Sequence, residues 1–224
     1  MSRRMASIFC DGACSGNGTA RAYGGWAWAY WPGPARGEPL AYGAQKLATG
    51  PGVPSTNQRA ELTALLEAIR FALGRKGEIV TIYTDSMYAI NCTSKWGPSW
   101  AKKGWTRGSG EPLQNLDLVK QLVALWRPSI TLQHVRGHQT GSGPAVHGNN
   151  WVDRAAVAAA KGDPVSLSPV LSLNIPTSED VIEHVEDLPP PAKASRLRDP
   201  VKQSGSSLRG PVKQTDLRLW FGGT

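Results

Sequence analysis

The run Glu78-Ile-Val-Thr-Ile-Tyr-Thr84 constrains the fold more than any other feature of the chain. β-Branched and aromatic side chains favour a pleated strand over a helix, and a nearly continuous apolar run needs cover on both faces. Helical patterns flank it. Upstream, Leu62, Leu65, Leu66, Ile69 and Leu73 recur three or four residues apart. They predict a helix over 57–73, capped near Thr56 or Asn57 and closed by Gly74. Downstream, 86–92 is a short helical pattern, 113–126 a longer one, 130–135 a further strand and the alanine-rich 150–161 a last helix. Residues 78–84 are therefore expected as a central strand of a mixed α/β sheet.

The amino-terminal stretch supplies the remaining strands. A short apolar run at 7–10 leads into the turn-rich Asp11-Gly-Ala-Cys-Ser-Gly-Asn-Gly18, residues 25–31 alternate aromatic and small side chains, and 40–47 is a third strand candidate. These three suit an antiparallel meander. The expected fold class is α/β, a three-layer plan with a mixed five-stranded sheet flanked by helices.

With 224 residues and 40% hydrophobic content, the chain has room for one domain of common size and an extension. The formal net charge of +8 is unevenly spread: residues 1–162 carry 18 basic and 9 acidic side chains, the remainder 7 and 8. A polyanionic partner would thus be bound by the first segment. Cys10, Cys14 and Cys92 form neither an even disulfide set nor a paired CxxC framework, which points to a reduced, intracellular setting. Zinc held by Cys10, Cys14, His134 and His138 would lack the usual paired spacing. No stretch approaches the roughly 18 consecutive apolar residues of a membrane span, and residues 1–6 are too short and polar for a secretory signal. A soluble monomer in the cytoplasm, or in a nucleoid or nucleus, is expected. Beyond Lys161 apolar periodicity fades and Pro, Ser and scattered charge dominate, so the chain divides into a domain over 1–162, a disordered linker over 163–209 and a tail peptide over 210–224.

Four carboxylates stand at the ends of these elements. Asp11 follows a strand, Glu61 lies in the first turns of a helix, Asp85 ends another strand and Asp153 begins the last helix. Strand ends and helix starts converge on one side of an α/β sheet. Four carboxylates in one cleft repel each other unless cations neutralise them, and hard oxygen donors suit Mg²⁺ or Mn²⁺. Two such ions can activate a water and stabilise the leaving oxygen of a phosphodiester cleavage.

The sequences around these residues carry a resemblance. Ile-Phe-Cys-Asp11-Gly-Ala-Cys-Ser-Gly-Asn17-Gly, Thr56-Asn-Gln-Arg-Ala-Glu61-Leu, Tyr83-Thr-Asp85-Ser-Met-Tyr88, Val135-Arg-Gly-His138 and Asn150-Trp-Val-Asp153-Arg-Ala-Ala are similar, in order and spacing, to the motifs of the type 1 ribonuclease H family. The resemblance covers residues 6–161 and implies a ribonuclease H-like fold and hydrolysis of the RNA strand of RNA–DNA hybrids. It also implies that Asp11, Glu61, Asp85 and Asp153 hold two Mg²⁺ ions, with Mn²⁺ as a substitute and Asp11 as their bridge. His138 resembles the flexible-loop histidine that assists proton transfer or product release. A histidine on a Gly-rich loop suits that task because its ordinary pKa is near neutrality. The loop at 139–149 is longer than the family pattern leads one to expect.

Discrimination of RNA from DNA works through the 2′-hydroxyl, which both donates and accepts hydrogen bonds. Amides do the same, and Asn17, Asn57 and Gln58 match family positions that line the RNA strand. Thr56 and Asn115 resemble a pocket for a DNA-strand phosphate; the arginine that joins it in some members is replaced here by Pro54. Lys95, Trp96, Trp100, Lys102, Lys103, Trp105 and Arg107 form an acid-free segment of alternating aromatics and cations, resembling the basic handle of bacterial-type members. Such a surface contacts phosphates electrostatically and packs against sugars.

Near the end, Gln214-Thr-Asp-Leu217-Arg-Leu-Trp220-Phe221 would gather Leu217, Trp220 and Phe221 into an apolar plug if wound as a tight turn. It resembles peptides that bind a sliding clamp, through Trp220 and Phe221 the proliferating cell nuclear antigen and through Gln214, Asp216 and Leu217 the bacterial clamp. A linker over 163–209 would give it a reach on the order of 35 to 40 Å. The expected function is a hybrid-specific endoribonuclease acting in primer or R-loop removal. A non-catalytic hybrid-binding adaptor is the alternative, disfavoured because a binder gains nothing from four carboxylates beside phosphates. A DNA-cutting relative is disfavoured by the handle and the Thr56-Asn-Gln58 segment.

Overall fold

A computed structural model describes residues 4–48, 50, 52–107 and 109–165. Strands β1 (Arg4–Ser15), β2 (Tyr23–Trp31) and β3 (Ala41–Lys46) form the expected antiparallel meander. β4 (Glu78–Thr84) and β5 (Thr131–His134) add in parallel beyond β1, giving one five-stranded sheet in the order β3-β2-β1-β4-β5. β4 is an interior strand, as its composition requires, but the middle of the sheet is β1. The helices are α1 (Asn57–Leu73), α2 (Met87–Asn91), α3 (Gly97–Lys102), α4 (Leu116–Leu125) and α5 (Pro144–Lys161).

α1 lies across β1 and β2 with α4 behind it, while α5 crosses β2, β1 and β3. Thr56 caps α1, its hydroxyl accepting from the Arg59 amide at 3.2 Å, and the Gly74 amide closes the helix on the Phe71 carbonyl. Under α5, Phe9, Trp31, Trp151 and Val152 build a buried cluster against Ala27, Ala29 and Ala156. Phe9 stacks on Tyr83 with ring centroids 4.6 Å apart. On the α1 face, Phe71 stacks on Trp28 at 4.3 Å, and the Arg75 guanidinium ties the Tyr30 hydroxyl to the Glu78 carboxylate.

Three boundaries differ from the sequence reading. β1 continues to Ser15 through the stretch expected as a turn, so Asp11 sits inside a strand. Its small residues remain extended because they pair with β2, Gly12 opposite Trp26 and Ala13 opposite Gly25. α5 begins at Pro144, six residues before the expected start, so Asp153 lies well inside the helix and the loop after His138 shrinks to 139–143. Proline suits a first helical position, where its missing amide proton costs nothing. Gly148 also permits the early start: a Cβ there would stand 2.5 Å from the Phe9 ring. α4 starts at Leu116, after Asn115 in a left-handed conformation at φ 53°.

The helices approach the sheet more closely than side chains normally allow. A Cβ on Gly12 would meet the Glu61 amide nitrogen at 2.2 Å, and one on Gly25 the Ala160 nitrogen at 2.3 Å. Gly25→Ala is expected to lower stability by roughly 1–3 kcal/mol in a urea titration, because packed interiors do not absorb an added methyl. Gly50→Ala, where an added Cβ meets nothing within 4 Å, is expected to stay within about 0.5 kcal/mol of the parent.

Candidate active site

The four carboxylates singled out by sequence line one cleft of ≈ 410 Å³, together with Asn57 and His138. Each arrives by a different route. β1 carries Asp11, and its neighbour Gly12 lets the first turns of α1 place Glu61 alongside. Asp85 follows the end of β4, and Asp153 projects from α5. Gly137 makes room for Asp85, since a Cβ there would fall 2.4 Å from its Oδ2. His138, also left-handed at φ 50°, is largely exposed, with Nδ1 3.7 Å from Asp153 Oδ2.

Glu61 is held from two sides. Its Oε1 accepts from Asn57 Nδ2 at 2.7 Å and its Oε2 from the Ser86 hydroxyl at 2.5 Å. The same Ser86 oxygen caps α2 by accepting from the Ala89 amide at 3.1 Å. Sequence reasoning missed Ser86; its signal was a serine directly before a helical pattern, a common cap. Asp11 Oδ1 accepts from the Gly12 amide at 2.7 Å.

Burial without counter-charge leaves its mark on three of these groups. Desolvation, followed by repulsion from Asp85, lifts the Asp11 carboxyl from 3.8 to about 8. Burial also raises Glu61, against the opposing Ser86 hydrogen bond, and raises Asp85, partly offset by His138. Among the described residues, no three His, Cys, Asp or Glu side chains close into a compact metal-binding group. The carboxylates instead line an open cleft. An all-oxygen donor set whose members resist ionisation side by side fits divalent magnesium or manganese.

The expected substrate residues fall into two groups. Beside the carboxylates, exposed Asn17 accepts from the Asn57 amide through Oδ1 at 3.2 Å, Gln58 is exposed one residue on, and Thr56 is occupied as the α1 cap. Asn115 stands before α4, its amide 3.5 Å from the Tyr88 hydroxyl. Farther along, α2, the short helix expected over 86–92, continues through a wide turn at Cys92–Trp96 into α3 within the Trp- and Lys-rich segment. Trp96 is 42% exposed and packs between Tyr88 and Trp100, each 6.2 Å away. Lys102 and Lys103 are exposed at the end of α3. Trp105 is half-buried with the Lys120 ammonium 5.5 Å over its ring. Gln214, Leu217, Trp220 and Phe221 lie outside the described residues, as do residues 166–209 of the expected linker. No helix among the described residues is long and apolar enough to cross a membrane.

The raised Asp11 carboxyl gives a pH signature once a chelator removes divalent cations. A folded-state value above the unfolded one means the folded chain holds the proton more tightly between about pH 4 and 8, so stability from this group is present at low pH and declines as pH rises. The urea midpoint of the chelated protein is expected to fall from pH 5 to pH 8, with a shallower fall in Asp11→Asn.

Comparison with known proteins identifies the family of this fold. The RNase H family profile matches residues 3–161. A ribonuclease H of Cyanothece sp. is 35% identical over 165 residues, covering 72% of this chain and 93% of its own. One from Syntrophomonas wolfei subsp. wolfei is 37% identical over 150 residues, covering 66% and 88%. Among solved structures, the PFV RNase H domain superposes with a TM-score of 0.60 at 24% identity, over 72% of this chain and 98% of that one, and shows the same fold. The chain belongs to the RNase H family.

Proposed function

We propose that this chain is an endoribonuclease that cleaves the RNA strand of RNA–DNA hybrids by two-metal-ion hydrolysis of the phosphodiester bond. The observation that carries the reading is the convergence of Asp11, Glu61, Asp85 and Asp153 on one cleft in a chain of this family. These four would hold two Mg²⁺ ions, or Mn²⁺ in their place, and Asp11 is the most buried of them. The ions supply activation of the attacking water and charge neutralisation at the leaving oxygen.

The chain's own groups do the rest. Ser86 and Asn57 fix the Glu61 carboxylate, so that no rotamer search precedes reaction. His138 stands at the cleft mouth beside Asp153, where an exposed imidazole carries a proton to or from the departing oxygen. Asn17, Asn57 and Gln58 face the ribose 2′-hydroxyls, Thr56 and Asn115 take a DNA-strand phosphate, and Trp96, Lys102, Lys103 and Trp105 contact the duplex through the handle. Primer and R-loop removal are the cellular tasks that fit. At the far end, the pattern of Gln214, Leu217, Trp220 and Phe221 supports docking to a sliding clamp, which places a tethered nuclease beside replicating DNA.

End-labelled RNA–DNA hybrid, RNA duplex, DNA duplex and single strands incubated with Mg²⁺ test the reading. Cutting is expected only in the RNA of the hybrid, with a loss of roughly 10³-fold or more in Asp11→Asn and up to about 10²-fold in His138→Ala. Hybrid binding with no cutting in either Mg²⁺ or Mn²⁺ would instead establish an adaptor.

A further inference from the structure

β3 is an end strand of the sheet, and among the described residues nothing pairs with its outer side. Exposed strand edges recruit other strands, and proteins usually guard them with charge or cover. β3 is poorly guarded: Tyr42, Gly43 and Ala44 are half-buried, and the strand's only charge is Lys46 at its end. At its start lies a second cleft of ≈ 470 Å³ between Trp31, Pro32, Pro34, Pro39 and Leu40, and Leu40 is 39% exposed.

The direction of α5 decides what reaches this edge. Trp151 lies against Tyr42, ring centroids 5.5 Å apart, whereas Ala160 lies against Gly25, which pairs with Lys46. α5 therefore runs in the same sense as β3. Gly162, left-handed at φ 81°, then reverses the chain, and Val165 packs with Tyr42 and Ala44 against the Phe9–Trp151 cluster. From Val165, the antiparallel course along β3 leads to the second cleft.

The sequence that leaves is Val165-Ser-Leu-Ser-Pro-Val-Leu-Ser-Leu-Asn-Ile175, with Pro176 after it. Every odd position is apolar, the even positions are Ser, Ser, Val, Ser and Asn, and none is charged. That is the period of a strand with one buried face, and the inward-facing Val165 sets its parity. Extended at about 3.3 Å per residue, a chain of this length would span roughly 35 Å, against roughly 20 Å for β3, enough to reach the cleft. Pro169 is tolerable in a strand whose outer side meets solvent.

We propose that residues 166–175 add to β3 as a sixth, antiparallel strand, laying Leu167, Leu171 and Leu173 along the α5 face and into the cleft beside Trp31 and Leu40. The occupant of the edge is thus this chain's own segment.

Hydrogen exchange on the full chain tests this, with β1 amides as an internal reference. In the parent protein, the β3 amides that point away from β2 are expected to exchange at least tenfold slower than in Leu171→Asp/Leu173→Asp, while Ser168→Asp/Ser172→Asp, altered on the outward positions, keeps the parent pattern. Outer β3 amides unprotected in the parent overturn the proposal. So does protection that disappears on dilution, which would assign the edge to a second copy, or equal loss in both double variants.

Discussion

The backbone of α1 lies against Gly12 at a distance that only a residue without a side chain permits. This contact sits in the middle strand of the sheet, one residue past Asp11, and it sets how far Glu61 stands from that carboxylate. Gly25 and Gly148 do the same on the opposite face, letting α5 settle close enough to bring Asp153 to the same cleft. The site is thus a consequence of two helices pressed onto a strand pair from both sides. The dense aromatic packing of Phe9, Trp31, Trp151 and Tyr83 under α5, and of Phe71, Trp28 and Tyr30 under α1, holds that arrangement against the repulsion it creates.

That repulsion is the functional content of the site. Burial and proximity push Asp11, Glu61 and Asp85 toward their neutral forms, so the cleft is a poor place for bare carboxylates and a good one for cations. Ser86 shows how local folding and chemistry share one atom: its hydroxyl caps α2 and donates to Glu61. The chain continues from that helix through the Cys92–Trp96 turn into α3, which ends at Lys102. The residues proposed to grip the duplex are therefore joined along the chain to the serine that positions Glu61.

Much of this was legible in the sequence. The interior strand at Glu78–Thr84, the cap at Thr56 and the four carboxylates each had a local pattern, because β-branched runs, capping hydroxyls and motif spacing are properties of neighbours along the chain. The boundaries that moved depended on partners distant in sequence. Residues 11–15 read as a turn until β2 pairs with them, and 144–149 read as a loop until Gly148 is seen against Phe9. The two-residue period after Val165 stands in a stretch whose Pro, Ser and charge content reads as linker, and only the reversal of the chain at Gly162 brings β3 into consideration as its partner.

The central claim is that the carboxylates form one cation site used on an RNA–DNA hybrid, and calorimetric titration of Mn²⁺ into the protein bound to a non-cleavable hybrid tests it most directly. Two ions are expected to bind per chain, with at least one lost in Asp11→Asn. Titration curves that are the same for the parent and Asp11→Asn would contradict it.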